Sequence, residues 1–268
     1  MSRGRWLRAV MRSIWMAGMF VEASVELLLQ RPATRQARAL WLHRFCARSM
    51  RRMGITISVQ GGFPEQGALI ANHQTYLDIV TLAAIHPCVF VSKVEILELP
   101  VIGWMTKIAG TVLVERGRGR SALEAGSGMK AAFKDGMPVV FFPEGTTSSG
   151  PLLPFRSGLL AQVMSTEEPI TAAYLRYSMP SDNGADVTVA ENICWGALPL
   201  FEHAFTFLGL HGVHVDVCFG SAPIAFSSKE LHRKAAAVEA RAAMAALGER
   251  LGVIQQNAIN DSTNLHLM

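Results

Sequence analysis

Two residues able to move a proton sit five apart in the stretch ANHQTYLDIVTL, residues 71–82: His73 and Asp78. A histidine titrates near neutrality, and a carboxylate against it fixes its tautomer and steadies its charged form. A contacting pair is therefore a general base with its orienting partner. On one continuous α-helix the two side chains would stand roughly 140° apart and never meet. Contact requires a break in the helix. The apolar run ALIA leading into Asn72 predicts a strand ending at about Ala71, and the apolar-periodic stretch from Tyr76 predicts a helix starting near Thr75. With His73 in the turn and Asp78 on the first turns of the helix, the chain can fold imidazole onto carboxylate. Taken alone, the stretch fits a plainer reading equally well, with Asn72 an ordinary cap and His73 a half-buried loop residue.

Three more stretches carry chemistry-bearing groups at the ends of apolar runs. In GTVLVERGRGR, residues 110–120, Arg116 follows a predicted strand with Arg118 and Arg120 behind it. An arginine offers a planar fork of donors suited to phosphate oxygens, although a strand-end arginine is more often simply solvated. In VVFFPEGTTSSG, residues 139–150, Pro143 and Gly145 predict a tight turn. Such a turn can aim Glu144, Thr146 and successive backbone N–H groups into a cleft, or be a turn and nothing more. EPITAAYLRY, residues 168–177, opens with Pro169 and predicts a strand whose side chains can line the same cleft. PFRSG, residues 154–158, adds Arg156 at a predicted helix start as a second anion partner.

The elements that must position these groups alternate. Strands are predicted at 55–60, 68–71, 89–92, 111–115, 138–142, 170–175 and 213–219. Helices are predicted at 75–85, 100–108, 121–134, 156–165, 198–208 and 228–250. This pattern predicts an α/β layered domain with a largely parallel sheet flanked by helices. An N-terminal amphipathic helical hairpin precedes it. The expected division is a helical pair over 1–54, the α/β domain over 55–252 and a polar tail over 253–268 that frays.

Half of the 268 residues are hydrophobic and 17% charged, and the net charge of +4 conceals an asymmetry. Residues 1–52 carry eleven Arg, no Lys and two Glu, a net of +9, so the rest of the chain is net −5. A basic head with no zinc-finger spacing, RNA-binding aromatic motif or lysine-rich arm points to an anionic membrane surface and away from nucleic acid. The uninterrupted apolar run IWMAGMFV, residues 14–21, falls well short of the ~20 residues a spanning helix needs. Leu7, Val10, Ile14, Val21, Val25 and Leu28 instead form one stripe, with Arg8, Arg12, Glu22 and Glu26 opposite. A second helix from about Thr34 to Arg52 places Arg44, Arg48 and Arg51 on one face. The expectation is a hairpin lying in the bilayer interface with its arginines toward anionic headgroups, against the alternative that the stripe packs on the protein's own core. Cys46, Cys88, Cys194 and Cys218 show no paired spacing, which fits reduced thiols with neither a metal site nor a disulfide framework.

The order Asn-His-x-x-x-x-Asp, then Gly-x-x-x-x-x-Arg, then Phe-Pro-Glu-Gly-Thr, then a Pro-led strand resembles the glycerolipid acyltransferase family, whose familiar members are lysophosphatidic acid acyltransferases. The resemblance spans about residues 35–225, and its specificity lies in the combination. It implies that His73 is the general base and Asp78 its orienter, and that Arg116, Glu144 and Gly145 bind a phosphate-bearing acceptor; the reading of the residues adds Thr146 from the same loop and Arg156 to the substrate-binding set. It also implies that the acyl donor is a thioester of coenzyme A or acyl carrier protein, with no cofactor or metal. The implied reaction is acylation of the free hydroxyl of a lysophospholipid, with 1-acyl-glycerol 3-phosphate giving phosphatidic acid as the leading case. A lyso-ornithine lipid is the alternative acceptor. The implied location is the cytoplasmic face of the cell membrane, peripheral or monotopic. Glu115 departs from the Asp that commonly precedes the arginine, and Ala197 from a frequent acidic residue; these bear on the acceptor rather than the chemistry. A catalytically silent lipid-binding protein has no need of the His73–Asp78 base. A metal-dependent hydrolase would need a ligand cluster, of which His73, Asp78 and Glu144 would be the members.

Overall fold

The computed structural model describes residues 1–99, 102–115, 119–196, 198–227 and 232–265. Two helices open the chain, α1 (Arg3–Gln30) and α2 (Arg35–Met53). Each starts on a hydroxyl cap: the side chain of Ser2 accepts the Arg5 N–H and that of Thr34 accepts the Ala37 N–H. Arg31, in the left-handed conformation at φ 43°, ends α1 just before Pro32. Gly54 at φ 70° ends α2 and donates to the Arg51 and Met50 carbonyls.

The apolar stripe of α1 faces away from the protein. Ile14, Trp15, Val21 and Leu28 are between 61% and 66% exposed, and Trp6, Leu7 and Met11 join them. The charged side of α1 turns inward. Arg8 donates to the Gly209 carbonyl at 2.8 Å, and Arg12 donates to the carbonyls of Leu208 and Leu210. Glu26 accepts from Arg48 at 2.7 Å, and Glu22 from Arg52 at 2.6 Å. The expectation that the hairpin's arginines point to headgroups is thus corrected for Arg8, Arg12, Arg48 and Arg52. A carbonyl row left open at a helix end and two glutamates are nearer partners than any lipid. Arg44 and Arg51 stay exposed. No helix among the described residues is long and apolar enough to cross a membrane.

Seven strands follow among the described residues: β1 (Thr56–Gln60), β2 (Ala68–Ala71), β3 (Val89–Lys93), β4 (Val112–Val114), β5 (Val139–Phe141), β6 (Ile170–Ser178) and β7 (His214–Phe219). They form one sheet in the order β1-β7-β6-β2-β5-β3-β4. The five strands from β6 to β4 run parallel, β7 runs antiparallel to β6, and β1 is parallel to β7. The central strands β2 and β5 are buried at every position, as continuous apolar runs in a sheet covered on both faces must be. Full burial of Leu69, Ile70, Val140 and Phe141 contributes about 1.5–3 kcal/mol each.

Strand alternation divides the core. Leu69, Ala71, Ala173, Leu175 and Tyr177 face α1, α2, α3 (Leu77–Ile85) and α8 (Leu200–Leu208). Ala68, Ile70, Phe141, Ile170 and Ala172 face α5 (Gly119–Lys134), α6 (Ser157–Met164) and α9 (Arg233–Leu265). Two shorter helices are α4 (Ile102–Ile108), which packs Met105 near Ala23 and Trp41, and α7 (Val189–Asn192). The fold is the expected layered α/β domain with a largely parallel sheet behind an N-terminal helical pair. Several details differ from the expectation, among them these. Helix α7 adds a turn, α9 continues past residue 250, and β6 runs on to Ser178 because β7 pairs with its second half.

Candidate active site

The site lies where β2 and β5, adjacent and parallel with Ile70 beside Phe141, both run out into loops. Crevices beyond the carboxyl ends of such strands are the usual binding places of open α/β sheets. Past Ala71 the β2–β6 ladder is continued by a side chain. Asn72 Nδ2 donates to the Leu175 carbonyl at 3.0 Å, and Asn72 Oδ1 accepts the Leu175 N–H at 2.7 Å. Asn72 therefore locks the start of the turn to β6 and is no ordinary helix cap.

The turn brings His73 and Asp78 together, Nδ1 to Oδ2 at 2.8 Å. Asp78 is fully buried, and the same Oδ2 accepts the N–H groups of Gln74 at 2.7 Å and Thr75 at 2.9 Å. Its other oxygen accepts the Tyr177 hydroxyl at 2.7 Å. An ionised carboxylate only accepts, so the proton between the pair belongs to Nδ1, and the lone pair of the neutral ring stands on Nε2. The imidazole side chain is 17% exposed and stacks on Phe142, with ring centroids 4.0 Å apart. A buried, oriented carboxylate behind a partly open imidazole is an arrangement that can draw a proton from a bound hydroxyl.

His73 is also held by its main chain. Its N–H donates to Glu144 Oε1 at 2.8 Å, and its carbonyl accepts the Ser148 N–H at 2.9 Å. Glu144 is buried, and its Oε2 accepts the Leu153 N–H at 2.8 Å. Burial pushes the Glu144 carboxyl above its ordinary range, against the lowering effect of those two N–H groups. Both oxygens are engaged, so Glu144 braces the 143–153 loop against the His73 turn. A carboxylate so engaged fits a brace for the turn more readily than a direct contact with a phosphate, which it would repel. Gly145 takes φ 69°, and a Cβ there would stand 2.8 Å from Cδ and Nε of Arg156, so the glycine lets this exposed arginine lie across the turn. Thr146 is exposed on the same loop. Arg116 and Ala197 lie outside the described residues. From α9, Arg241 donates to the carbonyls of Leu152 and Leu153, a support with no signal in the sequence.

The thiols offer no competing nucleophile. All four cysteines are buried, and desolvation pushes Cys46 up to about 12 and Cys194 to about 11. Ser148 meets His73 through its backbone, while its hydroxyl accepts the Gly150 N–H. Among the described residues no group of three or more His, Cys, Asp or Glu is placed to hold a metal ion.

Beside the site runs an apolar cavity of about 310 Å³ between α1, α2, α3, α4 and α8. Met16, Phe20, Phe45, Ile79, Met105 and Phe207 line it, and it reaches Tyr76, Leu77 and Trp195. Trp195 is tied to the His73 turn by its backbone N–H, which donates to the Gln74 carbonyl at 2.8 Å.

Residues 54–176 match the family model described as Acyltransferase. Over 145 residues the chain is 34% identical to the lyso-ornithine lipid O-acyltransferase of Pseudomonas aeruginosa, covering 52% of this chain and 54% of that one. Over 113 residues it is 38% identical to the 1-acyl-sn-glycerol-3-phosphate acyltransferase of Neisseria gonorrhoeae, covering 41% and 44%. The chain thus spans about half the length of these curated relatives. The crystal structure of PlsC, the 1-acyl-sn-glycerophosphate (LPA) acyltransferase of Thermotoga maritima, is similar in fold. The TM-score is 0.60 at 20% identity, over 90% of this chain and 97% of that one.

Proposed function

We propose that this chain, whose residues 54–176 match the Acyltransferase family model, transfers a fatty acyl group from a thioester to the free hydroxyl of a lysolipid. The observation that carries the reading is the contact of His73 Nδ1 with buried Asp78 at 2.8 Å. Nε2 takes the hydroxyl proton as the oxygen attacks the thioester carbonyl, forming the C–O bond. The C–S bond then breaks, and the proton passes to the leaving thiolate. Asp78 steadies the imidazolium between these events. The thiolate leaves readily, so the acyl group goes straight to the acceptor with no acyl-enzyme.

The acyl chain of one substrate takes the apolar cavity, whose volume is at the lower end of the roughly 300–1,000 Å³ usual for ligand pockets. Arg156, and Arg116 after β4, provide cations for an anionic headgroup, which favours 1-acyl-glycerol 3-phosphate as acceptor and phosphatidic acid as product. The likeness to a lyso-ornithine lipid O-acyltransferase favours that acceptor as the second reading. The donor is acyl-CoA or acyl carrier protein. The outward apolar face of α1 rests in the headgroup boundary of the cytoplasmic leaflet, monotopically, where both lipid substrates reside. The helical pair over 1–54 is the membrane unit and 55–252 the catalytic one. Purified protein offered a panel of lysolipids with both thioester types tests the reading. Acylation of one lysolipid, abolished by His73→Ala, is the expected outcome, and no acylation with any pair contradicts it.

A further inference from the structure

Resting on the acyl-transfer reading, we propose that Tyr177 is a positioning residue for the base. From the neighbouring strand β6 it sets both the rotation and the effective charge of Asp78. Its hydroxyl donates to Asp78 Oδ1 at 2.7 Å, and the residue is only 5% exposed. It lies one position beyond the family match at residue 176, at the end of the Pro-led strand stretch 168–177, and the resemblance gives it no role.

The geometry assigns it two tasks. Asp78 Oδ2 serves three donors, namely His73 Nδ1 and the N–H groups of Gln74 and Thr75. A carboxylate turning about its terminal torsion, which is broad and soft, would lose that alignment. Tyr177 holds the opposite oxygen and so stops the turn. The second task is electrostatic. Each hydrogen bond to a carboxylate absorbs part of its charge and lessens its hold on the imidazolium. Tyr177 is kept a neutral donor because burial, and then the Asp78 charge, push its phenol well above the ordinary range.

The titratable groups around Asp78 on each side are few. They are His73 in the same turn, Tyr177 from β6, Glu144 from the loop after β5, and the Cys194 thiol after α7. Register explains the placement. Asn72 fixes Leu175, and period two along β6 puts Tyr177 on the Leu175 face, one pleat further toward α3.

The test follows the His73 ring by NMR through a pH titration of the full chain, alongside the pH profile of kcat/KM. In Tyr177→Phe the His73 midpoint and the acidic limb of the profile should both move to higher pH. kcat should fall by about 10- to 100-fold, the size expected for losing a bond to a charged group. Neither KM should change by a comparable factor. The chain has three tyrosines, so replacing them all with 3-fluorotyrosine gives a stronger donor at position 177. That protein should shift both quantities to lower pH, and adding Tyr177→Phe should cancel the shift. Should the phenylalanine variant not fold, the fluorinated protein decides alone. An unmoved His73 midpoint in the fluorinated protein, or lost activity in Tyr177→Phe with an unchanged profile and a lowered Tm, overturns the proposal and leaves Tyr177 as core filling. The NMR readout needs no turnover. An active His73→Ala protein would sink the acyl-transfer reading while leaving the Tyr177 result standing, and an inactive one with an unmoved midpoint would sink this inference alone.

Discussion

Replacing Glu144 by glutamine separates a brace from a ligand contact. Oε1 and Oε2 each accept one backbone N–H, from His73 and Leu153, both at 2.8 Å. Glutamine keeps the shape but has one oxygen and one NH2, so whichever way it turns, an amide donor meets a backbone donor. The variant loses a charge-assisted bond worth about 1.5–3 kcal/mol and leaves one N–H short of a partner at about 1–3 kcal/mol. Leu153 is only half buried and can recover a water, so the net loss of stability should be about 2–4 kcal/mol. Release of the His73 turn should also lower kcat by about 100-fold, the cost of misplacing a catalytic group by about an ångström. Urea unfolding measures the first quantity, and steady-state kinetics with both substrates varied measures the second. A glutamine variant with wild-type stability and kcat but a raised acceptor KM would refute the brace and restore Glu144 as an acceptor contact.

Because burial raises the Glu144 pKa, the folded state binds its proton more tightly than the unfolded chain. That contribution to stability is full below the unfolded value and is lost as pH rises through the folded one, so the stability difference between wild type and Glu144→Gln should change across mildly acidic pH; a pH-independent difference contradicts this. Ile14→Glu with Val21→Glu, both on the outward face of α1, should cut binding to anionic vesicles at least about tenfold with the Tm little changed, by sedimentation and melting. Arg116→Ala or Arg156→Ala should raise the acceptor KM far more than the donor KM, by about 2–5 kcal/mol where the partner charge is left buried. Lysine should restore part of the loss; equal effects on both substrates would make the arginine structural.

The short continuous apolar runs and their Gly/Pro borders revealed the central strands because these are buried on both faces. Residues 68–71 are apolar throughout and became β2 with the expected ends. The strand–turn–helix break left the His73–Asp78 contact open to expectation, since residues five apart on one continuous helix would not meet. The reversal of β7 and β1 was not legible, because it depends on pairings between segments distant in the chain, Ser178 with His214 and Thr56 with His214. The same holds for Glu144. Its type suggested a ligand-facing group, and only the approach of the 143–153 loop to the turn shows both oxygens occupied. On α1 the stripe was visible, but its side was not. A hydrophobic stripe looks the same whether it packs inward or faces out, and the bonds of Arg8 and Arg12 to the carbonyls at 208–210 and of Glu22 and Glu26 to α2 turn it outward.

The most direct measurement is the rate of acyl transfer in a double-mutant cycle of His73→Ala and Asp78→Asn, with folding and vesicle binding checked in each protein. Asparagine can still accept the Gln74 and Thr75 N–H groups but lacks the charge that steadies an imidazolium. Its rate should fall on the order of 10³- to 10⁴-fold. His73→Ala should fall at least on that order, and the double variant should be little worse than His73→Ala, since a base and its orienter act as one unit. Additive losses, or a folded His73→Ala protein that turns over near the wild-type rate, would contradict the mechanism.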